Sequence, residues 1–124
     1  MKEIISTPSA PKAVGPYSQA VKANGFIFCS GQLPYAKEGQ LISEDAGEQA
    51  KQCMENLKSI LESIGSNLDK VVKTTIFLSD MNNFKIVNEI YGSFFKSEPP
   101  ARVTIQVARL PFDVKVEIDA VAVS

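Results

Sequence analysis

An arginine at the start of one apolar segment and a glutamate inside another are the side chains in this sequence best suited to chemistry. Arg102 opens the run RVTIQVARL and Glu117 lies in VKVEIDAVAV, and both runs alternate like β-strands. A guanidinium can hold a carboxylate through two parallel hydrogen bonds, and a carboxylate can move a proton. The pair therefore indicates a small anionic substrate. The alternatives are that Arg102 is solvated or paired with Glu98, that Arg102 and Glu117 pair with each other, and that Glu117 is an ordinary exposed strand residue.

The absence of histidine narrows the chemistry further. The chain has no histidine, and its two cysteines, Cys29 and Cys53, do not form a CxxC pair. Ser-His-Asp, Cys-His and histidine-metal sites are thereby excluded, so we predict no metal site. Both cysteines are expected to be reduced, packed thiols. An enzyme with this composition moves its proton through Glu, Asp, Tyr, Lys or a thiol.

Three further positions could line a cleft. Tyr17 follows Gly15-Pro16, where the fixed proline φ can aim the ring, although an ordinary packed tyrosine is the alternative. Gly31, in CSGQLP, either lets a ligand approach the backbone or ends a strand. Asn88 lies in the middle of a predicted helix, where asparagine is mildly unfavourable, so it either faces solvent or serves a hydrogen bond.

Length and charge limit the class of protein. The 124 residues, 44% of them hydrophobic, fit one domain over residues 1–124. Thirteen basic and fourteen acidic side chains give a net charge of −1, so no basic field exists to attract nucleic acid. The N-terminus lacks the apolar core of a signal peptide, and no segment approaches the roughly 18 apolar residues of a membrane span. We therefore expect a cytoplasmic protein without a membrane or nucleic-acid partner.

The elements that must position these residues follow from periodicity and turn signals. We predict five strand regions: EIIS, a hairpin over residues 17–31 turning at Asn24-Gly25, KVVKTTIFLSD, RVTIQVARL and VKVEIDAVAV. We predict two helices, one from Ala46 to Gly65 capped by Asp45, and one after Asp80. This order predicts an α+β fold, a mixed sheet with both helices packed on one face.

The two faces of the last strands predict an assembly. In the first of them we expect Val103, Ile105 and Val107 to face the helices, which leaves Arg102, Thr104 and Gln106 on the other face. In the last strand the core parity is Val116, Ile118, Ala120 and Ala122. The opposite face then holds Phe77, Val121 and Val123 beside Arg102, Thr75 and Glu117. Because this face is too apolar for solvent and too charged for a dry core, we predict burial against another copy, with a polar cleft at the seam.

Several segments, in order along nearly the whole chain, resemble the RidA family, also called YjgF, whose older labels are endoribonuclease L-PSP and translation inhibitor. The segments are GPYSQAV, FIFCSGQLP, VVKTTIFLSDMNNF, VNEIYGSFF, PPARVTIQVARLP and VKVEIDAVA. The resemblance implies a chorismate-mutase-like fold assembled as a homotrimer, with a barrel-like core and clefts at the subunit interfaces. It implies hydrolysis of enamine and imine intermediates, 2-iminobutanoate and 2-iminopropanoate, to 2-keto acids and ammonia. Such intermediates come from pyridoxal-phosphate-dependent serine and threonine dehydratases, and no cofactor is needed by the deaminase itself.

The resemblance also implies roles for individual residues. Arg102 of the PAR motif would clamp the substrate carboxylate, and Glu117 would activate water. The remaining substrate-binding positions would be Tyr17, Ser30, Gly31, Asn88 and Thr104. The chain departs from the family pattern at Gln106, where glutamate is frequent, and at Thr104, where some members have a reactive cysteine.

Two other functions compete with the deaminase. A non-catalytic ligand-binding regulator, such as a purine-operon regulator, would need the same carboxylate-binding residues. A ribonuclease or translation inhibitor agrees less well with the acidic pI of about 5.4 and the absence of histidine.

Overall fold

A computed structural model describes residues 1–124 as one six-stranded sheet with two helices. The strands are β1 (Glu3–Ile5), β2 (Ala20–Ala23), β3 (Phe26–Gln32), β4 (Val71–Leu78), β5 (Ala101–Gln106) and β6 (Val116–Val123). The helices are α1 (Ala46–Glu62) and α2 (Phe84–Gly92). The strands lie in the order β1-β2-β3-β6-β4-β5, and only β4 and β5 are parallel. The predicted α+β class and mixed sheet are confirmed.

The hairpin between β2 and β3 turns where the sequence predicted. Asn24 and Gly25 both have positive φ, 55° and 84°, as a type I′ turn requires. The second strand was expected to stop at Gly31, but it continues to Gln32. Its pairing register with β6 shifts between Cys29 and Gln32. This irregularity lies directly beside Glu117.

The helix α1 covers the middle of the sheet. Asp45 caps it by accepting a hydrogen bond of 2.9 Å from the Glu48 N–H, as predicted. Its apolar side is completely buried and packs on β3 and β6. The fully buried positions are Ala50, Cys53, Met54, Leu57, Ile60 and Leu61. This face packs with the residues of β6 that were predicted to face the core, and together they form its centre. Those residues are Val116, Ile118, Ala120 and Ala122.

The helix α2 lies on the same side of the sheet and packs against α1. Asp80 does not cap it directly: its side chain accepts from the Asn82 N–H in a 3-10 turn, Met81–Asn83, that precedes the helix. Val87 and Tyr91 are buried beneath it. Neither of the two helices is long and apolar enough to cross a membrane.

The edge strand β5 contradicts the predicted assignment of its faces. Val103 and Ile105 are 42% and 40% exposed on the side of the sheet away from the helices, which we call the open face. Arg102 instead contacts α2 and pairs with the buried Thr74 of β4. The apolar alternation of this strand is thus directed at the open face, and the strand ends at Gln106 rather than continuing through Val107.

Candidate active site

A cavity of about 330 Å³ on the open face contains the acidic candidate residue. It lies where β3, β6, the loop before β6 and the segment between β1 and β2 meet. We call that segment, residues 6–19, the N-terminal arm. Its lining residues are Val14, Tyr17, Ser30, Gly31, Leu33, Pro111, Phe112 and Glu117. The volume is in the range of small-molecule sites, and one ionisable carboxylate stands among apolar and hydroxyl groups. We call it the Glu117 cavity.

Glu117 has an unusual environment for a carboxylate. It is half-buried, and no ion pair or hydrogen bond from within the chain satisfies it. Burial raises its pKa above the ordinary value, and the nearby charge of Asp119, two residues on along the same face, raises it further. A carboxylate whose pKa is raised in this way is a stronger base than a solvated one, and it is therefore a candidate for proton transfer.

Gly31 leaves the space that the Glu117 carboxylate occupies. A Cβ at this position would lie 2.9 Å from Cδ of Glu117 and would overlap Oε2. The sequence suggested that glycine here opens the backbone to a ligand or ends a strand. In the structure, its first effect is to let the carboxylate lie against the bulged part of β3.

The arm that carries Tyr17 is tied to the sheet by side-chain hydrogen bonds. The Ser30 hydroxyl donates to the Ser18 carbonyl at 2.6 Å, and the Tyr17 hydroxyl accepts from the Val14 N–H at 3.3 Å. The buried Gln19 accepts from one arm N–H at 2.7 Å and donates to three arm carbonyls at 2.8–3.3 Å. Sequence reasoning did not identify Gln19, since a single glutamine beside a strand gives no signal of its partners.

Arg102 lies in a second cluster, formed with α2. Its Nη1 donates to Oδ1 of Asn88 at 2.7 Å, and the guanidinium carbon lies 5.1 Å from the centre of the Tyr91 ring and 5.9 Å from that of Phe84. The Tyr91 hydroxyl is itself held by Thr74 at 2.7 Å. The rings and the amide orient the guanidinium and leave most of its five N–H donors free for an anion.

Thr104 belongs to the same side of β5 as Arg102. Its hydroxyl oxygen is buried and has no hydrogen-bond partner within the chain. A buried hydroxyl without a partner is costly, so this atom is one that a ligand or a second chain would stabilise.

The structure separates the predicted site residues into two groups. One group meets in the Glu117 cavity on the open face: Tyr17, Ser30, Gly31 and Glu117. The other group lies on the helix side of the sheet, at its β5 edge: Arg102, Asn88 and Thr104. The expectation that Arg102 and Glu117 share one face, or pair directly, is wrong within a single chain. The reason is that β4 lies between β5 and β6, and that the residues of β5 on the same face as Arg102 are directed toward α2.

Sequence analysis missed two kinds of residue. Phe84 and Tyr91 were not named as site residues, yet their spacing from Asn88, four residues before and three after, puts all three on one side of α2. That spacing was a usable signal. Phe112, which is 67% exposed with a left-handed φ of 57°, gave none, because its position depends on the path of the loop.

The two cysteines are buried and free, as predicted. Burial, followed by the charge of Asp119, raises the pKa of the Cys29 thiol to about 12. It is therefore protonated at neutral pH, and it belongs to the core and does not line the Glu117 cavity.

Comparison with known proteins places this geometry in a family. The family model described as Endoribonuclease L-PSP matches residues 7–124. The chain is 49% identical over 123 residues to a RutC family protein of Pyrococcus horikoshii, covering 98% of each sequence. It is 48% identical over 124 residues to the human 2-iminobutanoate/2-iminopropanoate deaminase, covering 99% of this chain and 90% of the human one. The solved structure of E. coli TdcF with bound serine has a TM-score of 0.94 and 41% identity, covering 98% of both chains.

Proposed function

The chain belongs to the endoribonuclease L-PSP (RidA/YjgF) family, and on that premise we propose that it is an imine deaminase that hydrolyses 2-iminobutanoate and 2-iminopropanoate to 2-keto acids and ammonia. The observation that carries the proposal is Glu117, an unpaired, half-buried carboxylate with a raised pKa in a cavity large enough for a small imino acid. The name of the human relative supplies the reaction class. TdcF, which holds serine, supports a ligand with a carboxylate and an adjacent nitrogen.

In the proposed mechanism, Glu117 serves first as base and then as acid. It takes a proton from water as the oxygen bonds to the imine carbon, which converts the protonated imine to a carbinolamine. It then gives that proton to the amine nitrogen and takes the hydroxyl proton as the C=O bond forms, the C–N bond breaks with its electron pair on nitrogen, and ammonia and the 2-keto acid leave. The proton left on Glu117 passes to solvent or to the next imine. The negative charge also stabilises the iminium ion before attack.

Arg102 is proposed to hold the substrate carboxylate. Its free N–H donors match a carboxylate bidentately, while Asn88 and the two aromatic rings fix its direction. The unpartnered hydroxyl of Thr104, on the same side of β5, supports a polar ligand at this position. Orientation of the imine carbon toward the attacking water is the rate advantage that this contact provides.

Because the two clusters do not meet in one chain, we propose that the complete site forms between two chains of a homotrimer. The apolar part of the open face supports such an assembly. Its exposed members, between 36% and 48% accessible, are Phe26, Phe28, Val103, Ile105 and Val123. Burial of this face against another copy would remove the apolar surface from water. Arg102, on the edge strand β5 that borders this face, would then lie at the seam between the chains, beside the Glu117 cavity of the neighbour.

The test follows keto-acid formation while a serine or threonine dehydratase generates the imine, with semicarbazide as a competing trap. Wild type should divert the imine from the trap to the keto acid. Glu117→Gln and Arg102→Ala should each lower this diversion at least about 10²-fold. The control is Glu62→Gln, which makes the same change on the exposed side of α1.

Full activity of Glu117→Gln would exclude the proposed mechanism. Failure of the wild type to divert any imine would favour the non-catalytic regulator, whose ligand would then be sought among keto and amino acids.

A further inference from the structure

A second cavity of about 440 Å³ adjoins the Glu117 cavity, between the N-terminal arm and the loop over residues 33–39. We call it the side cavity. The residues that line both cavities are Val14, Tyr17, Gly31, Leu33 and Phe112. These shared residues form the boundary between the two cavities, so the side cavity begins next to the space beside Glu117.

Phe112 stands at this boundary because of an unusual loop. Phe112 and Asp113 both have φ of 57°, a conformation rarely adopted by bulky residues. Arg109 binds the Asp113 carboxylate through two hydrogen bonds, of 2.5 and 3.0 Å. The Phe112 ring packs edge-on against Tyr35, with centroids 5.9 Å apart. The loop thus presents a large, mostly exposed ring at the junction of two cavities.

The chemistry of the side cavity fits an alkyl chain better than a charged group. Leu33, Tyr35 and Phe112 provide apolar walls. Of the buried amides that line it, Gln19 binds the arm through both its oxygen and its nitrogen, and the Gln32 nitrogen donates to the Ser30 carbonyl at 3.2 Å. The charged side chains of the cavity, Lys12, Lys37 and Glu38, stand at its exposed rim, so its interior holds no charged group.

We propose that the side cavity receives the side chain of imino acids longer than 2-iminobutanoate, and that Phe112 determines how readily they enter. This inference rests on the proposed deaminase function, which places the reacting carbon beside Glu117. A short side chain stays within the Glu117 cavity. A straight, uncharged chain extends past Leu33 and Phe112 and exchanges water for apolar contact.

The experiment compares a short and a long imine made in place by an L-amino-acid oxidase, from 2-aminobutyrate and from norleucine, with semicarbazide as trap. The readout is the ratio of kcat/KM for the long imine to that for the short one. Lys37→Trp, at an exposed position, adds bulk to the side cavity and should lower the ratio about tenfold, since a contact of one or two methylenes is worth this much. Phe112→Ala opens the boundary and should raise the ratio severalfold. Lys58→Trp, on the exposed side of α1, is the matched control and should leave the ratio unchanged.

The outcomes separate this inference from the proposed function. If wild type hydrolyses both imines and neither variant changes the ratio, the side-chain subsite is overturned and the deaminase stands. If wild type hydrolyses neither, the deaminase fails, and calorimetric binding of 2-oxobutanoate and 2-oxohexanoate decides the subsite. Weaker binding by Lys37→Trp of the longer acid alone would then support the subsite, and equal effects on both acids would overturn it.

Discussion

The strands β5 and β6 carry the two candidate catalytic residues, yet their environments differ sharply. Both have alternating sequences, but β6 lies between β3 and β4 and buries every second residue, whereas β5 is an edge strand whose residues are almost all exposed. Glu117, on β6, is enclosed by a cavity that the chain builds by itself. Arg102, on β5, is oriented by α2 but opens to the sheet edge. A single chain therefore builds the cavity around Glu117, the β6 half of the site, whereas it orients Arg102, the β5 half, without enclosing it.

The two halves are also chemically complementary. Glu117 is a charge without a hydrogen-bond partner, and Arg102 has spare donors without an anion. A substrate with a carboxylate at one end and an imine at the other satisfies both at once. Three kinds of experiment test this comparison. They combine Arg102 and Glu117 from different chains, alter the surroundings of each residue, and remove the charge of Glu117.

Joining the halves from different chains gives the largest expected effect. Glu117→Gln and Arg102→Ala are each expected to have almost no activity. When equal amounts are refolded together, about one quarter of the sites in random trimers should combine an intact Arg102 with an intact Glu117, so activity should return to about a quarter of wild type. The assay is imine hydrolysis, and the control mixes the variants after separate refolding. No recovery, in mixed oligomers verified by native mass spectrometry, would mean that one chain supplies both residues.

Disturbing the β6 half should reduce activity without unfolding the protein. Gly31→Ala places a methyl group where the Glu117 carboxylate lies, and the flexible side chain should move aside. Displacement of a reacting group by about 1 Å costs about 10²-fold, so we expect a loss of that size in kcat/KM. The free energy of unfolding, measured by thermal unfolding, should change by less than about 1 kcal/mol. Gly92→Ala, where a Cβ meets no atom within 4 Å, is the matched control; equal activity of the two variants would show that the position of Glu117 is unimportant.

Disturbing the β5 half should affect binding more than turnover. Asn88→Asp keeps the shape of the side chain but gives Arg102 a permanent carboxylate partner, which competes with the substrate. We expect KM to rise about tenfold with a smaller change in kcat. Asn82→Asp makes the same charge change in the preceding 3-10 turn and serves as control. An unchanged KM would indicate that Arg102 does not bind the substrate carboxylate.

Removing the charge of Glu117 should have the smallest effect, and it is on stability. The pKa of Glu117 is higher in the folded chain than in the unfolded one, so the folded state binds the proton more tightly. Stability of the wild type therefore falls as pH rises from the unfolded value, about 4.3, through the raised folded pKa. Above that window Glu117→Gln should be the more stable protein, by at most about 1 kcal/mol because solvent screens a half-exposed group. Urea unfolding at pH 4 and pH 8 measures the difference, and a less stable variant at pH 8 would contradict it.

Much of the fold was predictable because its signals are local. The positive φ angles of Asn24-Gly25, the Asp45 cap and the burial stripe of α1 all follow from neighbouring residues. The prediction that alternate residues of β6, beginning with Val116, face the core is also confirmed, since a strand with neighbours on both sides must direct its apolar residues to the helices. Within the site, Tyr17, Gly31 and Glu117 were identified from their residue types and Ser30 from the family resemblance. The other residues that line the Glu117 cavity, Val14, Leu33, Pro111 and Phe112, were not identified.

The elements, the α+β class and the residues able to do chemistry could be predicted from the residues alone, because hydrophobic period, turns and caps are properties of short segments. Three features became visible only in the folded chain. β4 separates the strands of Arg102 and Glu117, Val103 and Ile105 face away from the helices, and Phe112 stands between two cavities. Alternation marks the two faces of a strand without indicating which one the helices cover. Strand order and loop path depend on contacts between distant segments, and no local pattern records them.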